Sequence, residues 1–106
     1  MIDPGLLTTR LTLLAPVESD DGQGGVRRSF APQQTLWAWV APLVTRQRDE
    51  ADAQVAELRV RIVIRAGVAL TLQHRLGDGA KIYRIKGWRE IEDRRFVAID
   101  AELRLS

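Results

Sequence analysis

Residues 59–65 read Arg-Val-Arg-Ile-Val-Ile-Arg, and no other stretch constrains the fold of this chain as tightly. A period of two puts Val60, Ile62 and Ile64 on one face and Arg59, Arg61, Val63 and Arg65 on the other, as a strand with one buried face requires. A helix would scatter both sets around its circumference. The same period returns in 96–105, where Val97, Ile99, Ala101, Leu103 and Leu105 oppose Ala98, Asp100, Glu102 and Arg104. Two half-buried strands therefore bracket the second half of the chain.

The rest of the sequence supplies their partners. Leu11 and Leu13 alternate with Arg10 and Thr12 in a first strand over 7–13, expected to end near Pro16. Asp20-Asp21-Gly22-Gln23-Gly24-Gly25 is a concentrated turn signal and reads as an exposed loop or hairpin tip. Residues 34–40 form a second strand with Trp37 and Trp39 on one face, stopped by Pro42; that face is expected against the core or an interface. Residues 70–76 and 80–86 read as strands around the turn Gly77-Asp78-Gly79, and Gly87 suggests a bulge. Between the second strand and Arg59, residues 43–58 are rich in helix formers. Their sizeable apolar residues, Leu43, Val44, Val55 and Leu58, sit only at the ends, which predicts a short helix or a polar excursion that does not dock on a core. Six or seven short strands with at most one helix predict a mainly β, small antiparallel β-barrel or sandwich: one domain over 1–106 with an inserted loop at about 43–58. A chain of 106 residues cannot divide into two well-buried cores.

Chemistry is sparse. With no cysteine there is no thiolate nucleophile, disulfide or cysteine-ligated metal, and stability must come from packing or assembly. His74 is the single histidine and lacks an HxH or HxxxH partner, so it reads as a structural or surface residue. Asp20-Asp21 before Gly22 lacks the alternating oxygens of a calcium loop, and Gly22–Gly25 lacks a P-loop lysine. No catalytic residue, cofactor or metal is expected, and the chain is not expected to be an enzyme. The net charge of only +2 argues against a nucleic-acid binder held by bulk charge. The arginines at 59, 61 and 65 could still track a phosphate backbone, with Tyr83 or Trp88 stacking on bases. No apolar run approaches the roughly 20 residues of a membrane span, and Met1-Ile2-Asp3-Pro4-Gly5 has no basic and apolar export-signal pattern.

Taken in order, these segments resemble the phage head–tail joining family, the head closure, stopper or head–tail adaptor proteins of tailed phages, prophages and gene transfer agents. Arg10-Leu11-Thr12-Leu13 is similar to the family's first strand, and Asp21-Gly22 through Gly25 to its Asp-x-Gly turn. Leu36-Trp37-Ala38-Trp39-Val40-Ala41-Pro42 resembles its Val-Trp-Ala-x-Val-x-Pro stretch. Val60 to Arg65 resembles the strand ending in Ile-Arg, and Lys81-Ile82-Tyr83-Arg84-Ile85 the later Tyr-x-Ile strand.

The resemblance implies a β-barrel subunit of the head–tail connector, closing the DNA exit channel of a filled head and docking the tail. Its implied partners are other copies in a closed ring of about six or twelve. A portal-adaptor ring lies above, a tail terminator or tail tube below, and double-stranded DNA passes through the channel. No membrane is involved; the implied location is a virion or phage-like particle, assembled in the bacterial cytoplasm. On that expectation Arg59, Arg61, Arg65, Trp37 and Trp39 are candidates for a subunit or adaptor interface. Arg46, Gln47, Arg48, Asp49, Glu50, Asp52 and Gln54 are candidates for a channel plug or docking loop. The alternatives are a tail-completion or adaptor ring subunit, and a stand-alone OB- or SH3-like nucleic-acid-binding module.

Overall fold

The computed structural model describes residues 2–43 and 57–104. Among the described residues a 3-10 turn, Pro4–Leu6, leads into six strands: β1 (Thr9–Asp20), β2 (Val26–Pro42), β3 (Glu57–Arg65), β4 (Arg75–Asp78), β5 (Lys81–Ile91) and β6 (Phe96–Arg104). All neighbours pair antiparallel, and the order β1-β2-β3-β6-β5-β4 closes into a barrel. The mainly β fold expected from the strand periodicity is the fold observed. The barrel is uneven, because its seam is only the short register Thr12↔Gly77, Leu13↔Leu76 and Leu14↔Arg75 between β1 and β4.

Alternation decides what fills the interior. Val60, Ile62 and Ile64 of β3 point inward and meet Leu11, Leu13, Leu76 and Ile99, all of them buried. The arginine face of β3 is not uniformly solvated, however. Val63 is 1% exposed and packs with Leu7, Phe96 and Ala98 in a second apolar cluster on the outside of the sheet. Asp3 accepts the Gly5 N–H on Oδ1 at 2.9 Å and so starts the turn at Pro4, which brings Leu7 over the strands. An N-terminal segment thereby covers a patch that alternation alone assigns to solvent.

Several strand boundaries differ from the sequence expectation. The first strand does not end near Pro16; β1 continues to Asp20, and Pro16 sits opposite Phe30. Beyond Leu14, β1 has a partner on one side only among the described residues, so a residue lacking an N–H is accommodated at that edge. β2 likewise begins at Val26 rather than at Gln34. Residues 70–74 are not strand: the Gln73 N–H donates to Thr71 Oγ1 and the His74 N–H to the Thr71 carbonyl, a local turn that competes with a ladder. The following hairpin is one residue later than expected, with Asp78 opposite Lys81 and Gly79 at φ 60° in the first loop position. The bulge expected at Gly87 is present as a register shift between Ile85 and Gly87 against β6.

Gly22 and Gly24 take φ near 80° at the β1–β2 tip, where Asp21 Oδ1 accepts from the Gln23 and Gly25 amides. The β5–β6 connection reaches the same region without glycine. Glu92, Asp93 and Arg94 have φ of 51°, 55° and 64°, a run that costs a non-glycine residue roughly 1–2 kcal/mol each. Arg94→Gly is therefore expected to raise the unfolding free energy by about 1 kcal/mol in urea titration, because Arg94 is exposed and its native φ suits glycine. A loss of stability would mean that the side chain, not the backbone, holds the turn.

Candidate functional site

Two outward-facing regions carry the candidate side chains. In the first, strand alternation sends Leu36 and Ala38 into the core and Trp37 and Trp39 outward, 52% and 38% exposed. The sequence expectation put the tryptophans against the core or an interface; they are not in the core. The Arg10 guanidinium stands over the Trp37 ring at 4.9 Å from its centroid, opposite it in the β1–β2 register. On the other side of β2, Trp39 faces Val63 of β3. Trp37 and Arg65 line one groove together with Pro4, Leu7 and Thr8. Tryptophan faces, a fixed arginine fork and apolar side chains are the composition of a protein-binding hot spot.

The three arginines of β3 are not equivalent. Arg65 belongs to the tryptophan groove. Arg61 stands opposite Asp100, its Nε 3.9 Å from Oδ1, and Arg59 stands opposite Glu102. An ion pair this long and about 40% exposed on each side contributes little stability, yet it neutralises the stripe locally. Arg61 Nε is shielded from solvent and has no hydrogen-bond acceptor among the described residues. The candidate loop residues Arg46, Gln47, Arg48, Asp49, Glu50, Asp52 and Gln54 lie outside the described residues.

Other sequence candidates resolve as architecture. His74 is buried; its Nδ1 accepts from the Thr71 N–H at 3.1 Å, and its Nε2 lies 3.1 Å from Gln33 Oε1. Since Nδ1 is the acceptor, the hydrogen is on Nε2 and donates to Gln33. The histidine thus ties the 71–74 turn to β2. Tyr83 is in the core, where burial raises its phenol pKa and Asp78 adds to the effect, so it offers no stacking face. Trp88 remains 41% exposed. Asp20 and Asp21 hold the amides of their own tip.

The second region was not singled out in the sequence. Arg28, Arg75, Arg84 and Lys86 converge on one concavity of about 350 Å³, floored by Leu72 and Ile85. Arg75 lies over the Phe30 ring at 5.1 Å and donates through Nη1 to the His74 carbonyl at 3.2 Å. Burial, followed by the nearby charges of Arg84 and Arg28, pulls its pKa below the usual arginine value. Once the β4–β5 loop is placed at Gly79-Ala80, Arg75 falls opposite Arg84. The register expected around Gly77-Asp78-Gly79 does not oppose these two residues, and Arg28 arrives from a different hairpin, so the cluster was not legible in the sequence.

No helix among the described residues is long and apolar enough to cross a membrane. The model of the phage head completion protein family matches residues 2–104. A chain of the virion of a native gene transfer agent particle superposes with a TM-score of 0.76 at 24% identity, over 92% of this chain and 94% of that one. Protein SF1141 from Shigella flexneri 2a, solved in solution, superposes with a TM-score of 0.71 at 21% identity, over 96% of each chain. No curated protein matches this sequence. The two structural likenesses share the barrel.

Proposed function

This chain belongs to the phage head completion protein family, and from that membership we propose that it is a structural ring subunit of the head–tail connector of a tailed phage or gene transfer agent. It closes the DNA exit channel of the filled head and presents a surface to the tail; it performs no catalysis. The observation that carries this reading is the family match from residue 2 to residue 104, which takes in the whole barrel and the excursion between β2 and β3. Its structural likeness to a component of a gene transfer agent virion is consistent with the same setting.

The surfaces fit that task. The half-exposed tryptophans and Arg65 offer a contact for a neighbouring copy or for the adaptor ring, and the polar residues 46–54 offer the plug or docking loop. Because Asp100 and Glu102 face Arg61 and Arg59, the β3 stripe makes a weak track for DNA. A channel wall that DNA must cross benefits from weak phosphate binding. The arginines then serve subunit or adaptor contacts first and DNA second.

Electron microscopy of particles from a host lacking the gene, beside a complemented control, tests the reading. Heads that leak DNA or accumulate apart from finished tails are expected, whereas intact tailed particles would overturn it. At the level of residues, Trp37→Ala is expected to cost only about 1 kcal/mol of stability, since half of the side chain is already in water. The same change should lower incorporation into particles about tenfold, read by quantitative mass spectrometry. Alanine at Arg59, Arg61 and Arg65 should likewise reduce incorporation; unchanged incorporation with loss of DNA retention would reverse the assigned order of contacts.

A further inference from the structure

The β1–β2 hairpin runs on past the barrel. Beyond the last β1–β4 pair at Leu14, the pairs from Ala15↔Ala31 to Asp20↔Val26 form a two-stranded arm roughly 17 Å long at about 3.4 Å per residue. Neither edge of the arm has a strand partner among the described residues, and Val17, Val26 and Phe30 are exposed along it. Arg28 and Phe30 tie one side of the ribbon to Gln73 and Arg75; a two-stranded ribbon is marginal in water, so the arm gains stability when a partner covers what stays exposed. Its tip is acidic. Asp20 and Asp21 are both exposed and each uses Oδ1 to hold tip amides.

The basic concavity has the opposite character. Arg84 and Arg75 are directly opposed like charges, Lys86 is the residue displaced at the β5 bulge, and Arg28 closes the wall. Two carboxylates offset part of this charge: Glu18 bonds Arg28 at 3.0 Å, and Glu102 stands opposite Arg84. Arg75 and Lys86 have no such counter-charge among the described neighbours of the concavity. Grouped, partly desolvated cations favour an anionic group that enters from outside. The concavity is a point rather than a track, which suits a compact pair of carboxylates better than a running phosphate backbone.

We propose that the concavity lined by Arg75, Arg84 and Lys86 receives the acidic tip, Asp20-Asp21, of a second copy of this chain. The proposal deepens the ring reading and rests on it only in taking contacts between copies as part of the function. The contact covers what stays exposed of the arm and brings the two carboxylates to Arg75 and Lys86, so it joins an exposed apolar ribbon and a charged socket in one interface.

A charge swap tests it in the purified full-length chain. One variant carries Arg84→Glu with Lys86→Glu, and the other Asp20→Lys with Asp21→Lys. Each alone opposes like charges at the contact, and its self-association should fall about tenfold below that of the unaltered chain. Mixed in equal amounts, every tip again meets a complementary socket. Association should return to within about threefold of the original, with amide shifts at Gln73, Arg75 and Lys86 or its replacement when one variant is isotope-labelled for NMR. A second socket variant, Gln73→Glu with Lys86→Glu, leaves Arg84 opposite Glu102 and guards against a folding defect. Mixtures up to millimolar concentration without such shifts, from dispersed and folded spectra, would overturn the proposal. So would a 12-base-pair DNA duplex shifting the same amides in a salt-dependent way while the mixture does not, since the socket would then be a phosphate site. Deleting the gene tests the connector role separately, because tip and socket can associate whether or not the particle needs this protein.

Discussion

Ile99→Ala is expected to lower the unfolding free energy by about 3–4 kcal/mol, the range for removing a fully buried branched side chain. Ile99 is 0% exposed and lies opposite Ile62 of β3 on one side and Trp88 of β5 on the other. Hydrogen-bonded ladders hold both neighbouring strands in register, so the barrel wall cannot collapse into the space left behind. A domain of this size has roughly 5–10 kcal/mol in total, which makes the loss a large share. The midpoint of thermal unfolding should fall by about 12–30 °C, at roughly 4–8 °C per kcal/mol. Ile82→Ala is the control: Ile82 is 43% exposed on the outer face of β5, and its truncation should cost about 1 kcal/mol or less in the same urea and calorimetric measurements. Equal losses at the two positions would contradict the division between inner and outer faces.

Deletion of residues 46–55 is expected to separate folding from function. The β2–β3 hairpin is pinned on the barrel side of the excursion by the pairs from Ala38↔Ile64 to Pro42↔Val60, and the Leu43 N–H donates to the Arg59 carbonyl at 2.9 Å. The remaining residues still bridge this hairpin, and a shorter connection costs slightly less closure entropy. The thermal midpoint should therefore stay within a few degrees, about 1 kcal/mol in either direction. The particles, however, should leak DNA or fail to join tails, with infectious or transducing titre falling by orders of magnitude. Normal titres from particles carrying the shortened chain would remove the excursion from the plug or docking role. Particles lacking the shortened chain altogether would instead point to its incorporation, which the mass-spectrometric assay distinguishes.

How far the sequence reached depends on the range of the interaction concerned. Alternation in 59–65 and 96–105 is a local property of an extended backbone, and it assigned Val60, Ile62, Ile64, Val97, Ile99, Ala101 and Leu103 to the interior correctly; Leu105 lies outside the described residues. The tip at Gly22–Gly25 and the bulge at Gly87 were legible for a similar reason, since glycine and aspartate act on their own backbone. Pro16 misled because a missing N–H matters only where a partner strand needs it, and β1 has a partner on one side only there among the described residues. The strand expected over 70–76 failed at its first half because Thr71 and His74 satisfy each other locally.

The candidate site divides along the same line. That Trp37 and Trp39 share a face follows from their spacing, and so does the common face of Arg59, Arg61 and Arg65. Which of these arginines joins the tryptophans depended on β2 pairing with β3, and which are neutralised depended on β6 lying on the other side. By itself, then, the sequence determined which residues share a face of each strand, because side-chain alternation is built into every extended backbone. Only the tertiary structure decided what each face meets. Val63 is buried because the N-terminal turn crosses β3, and Arg28 joins Arg75 and Arg84 because two hairpins distant in sequence converge, which no local period encodes.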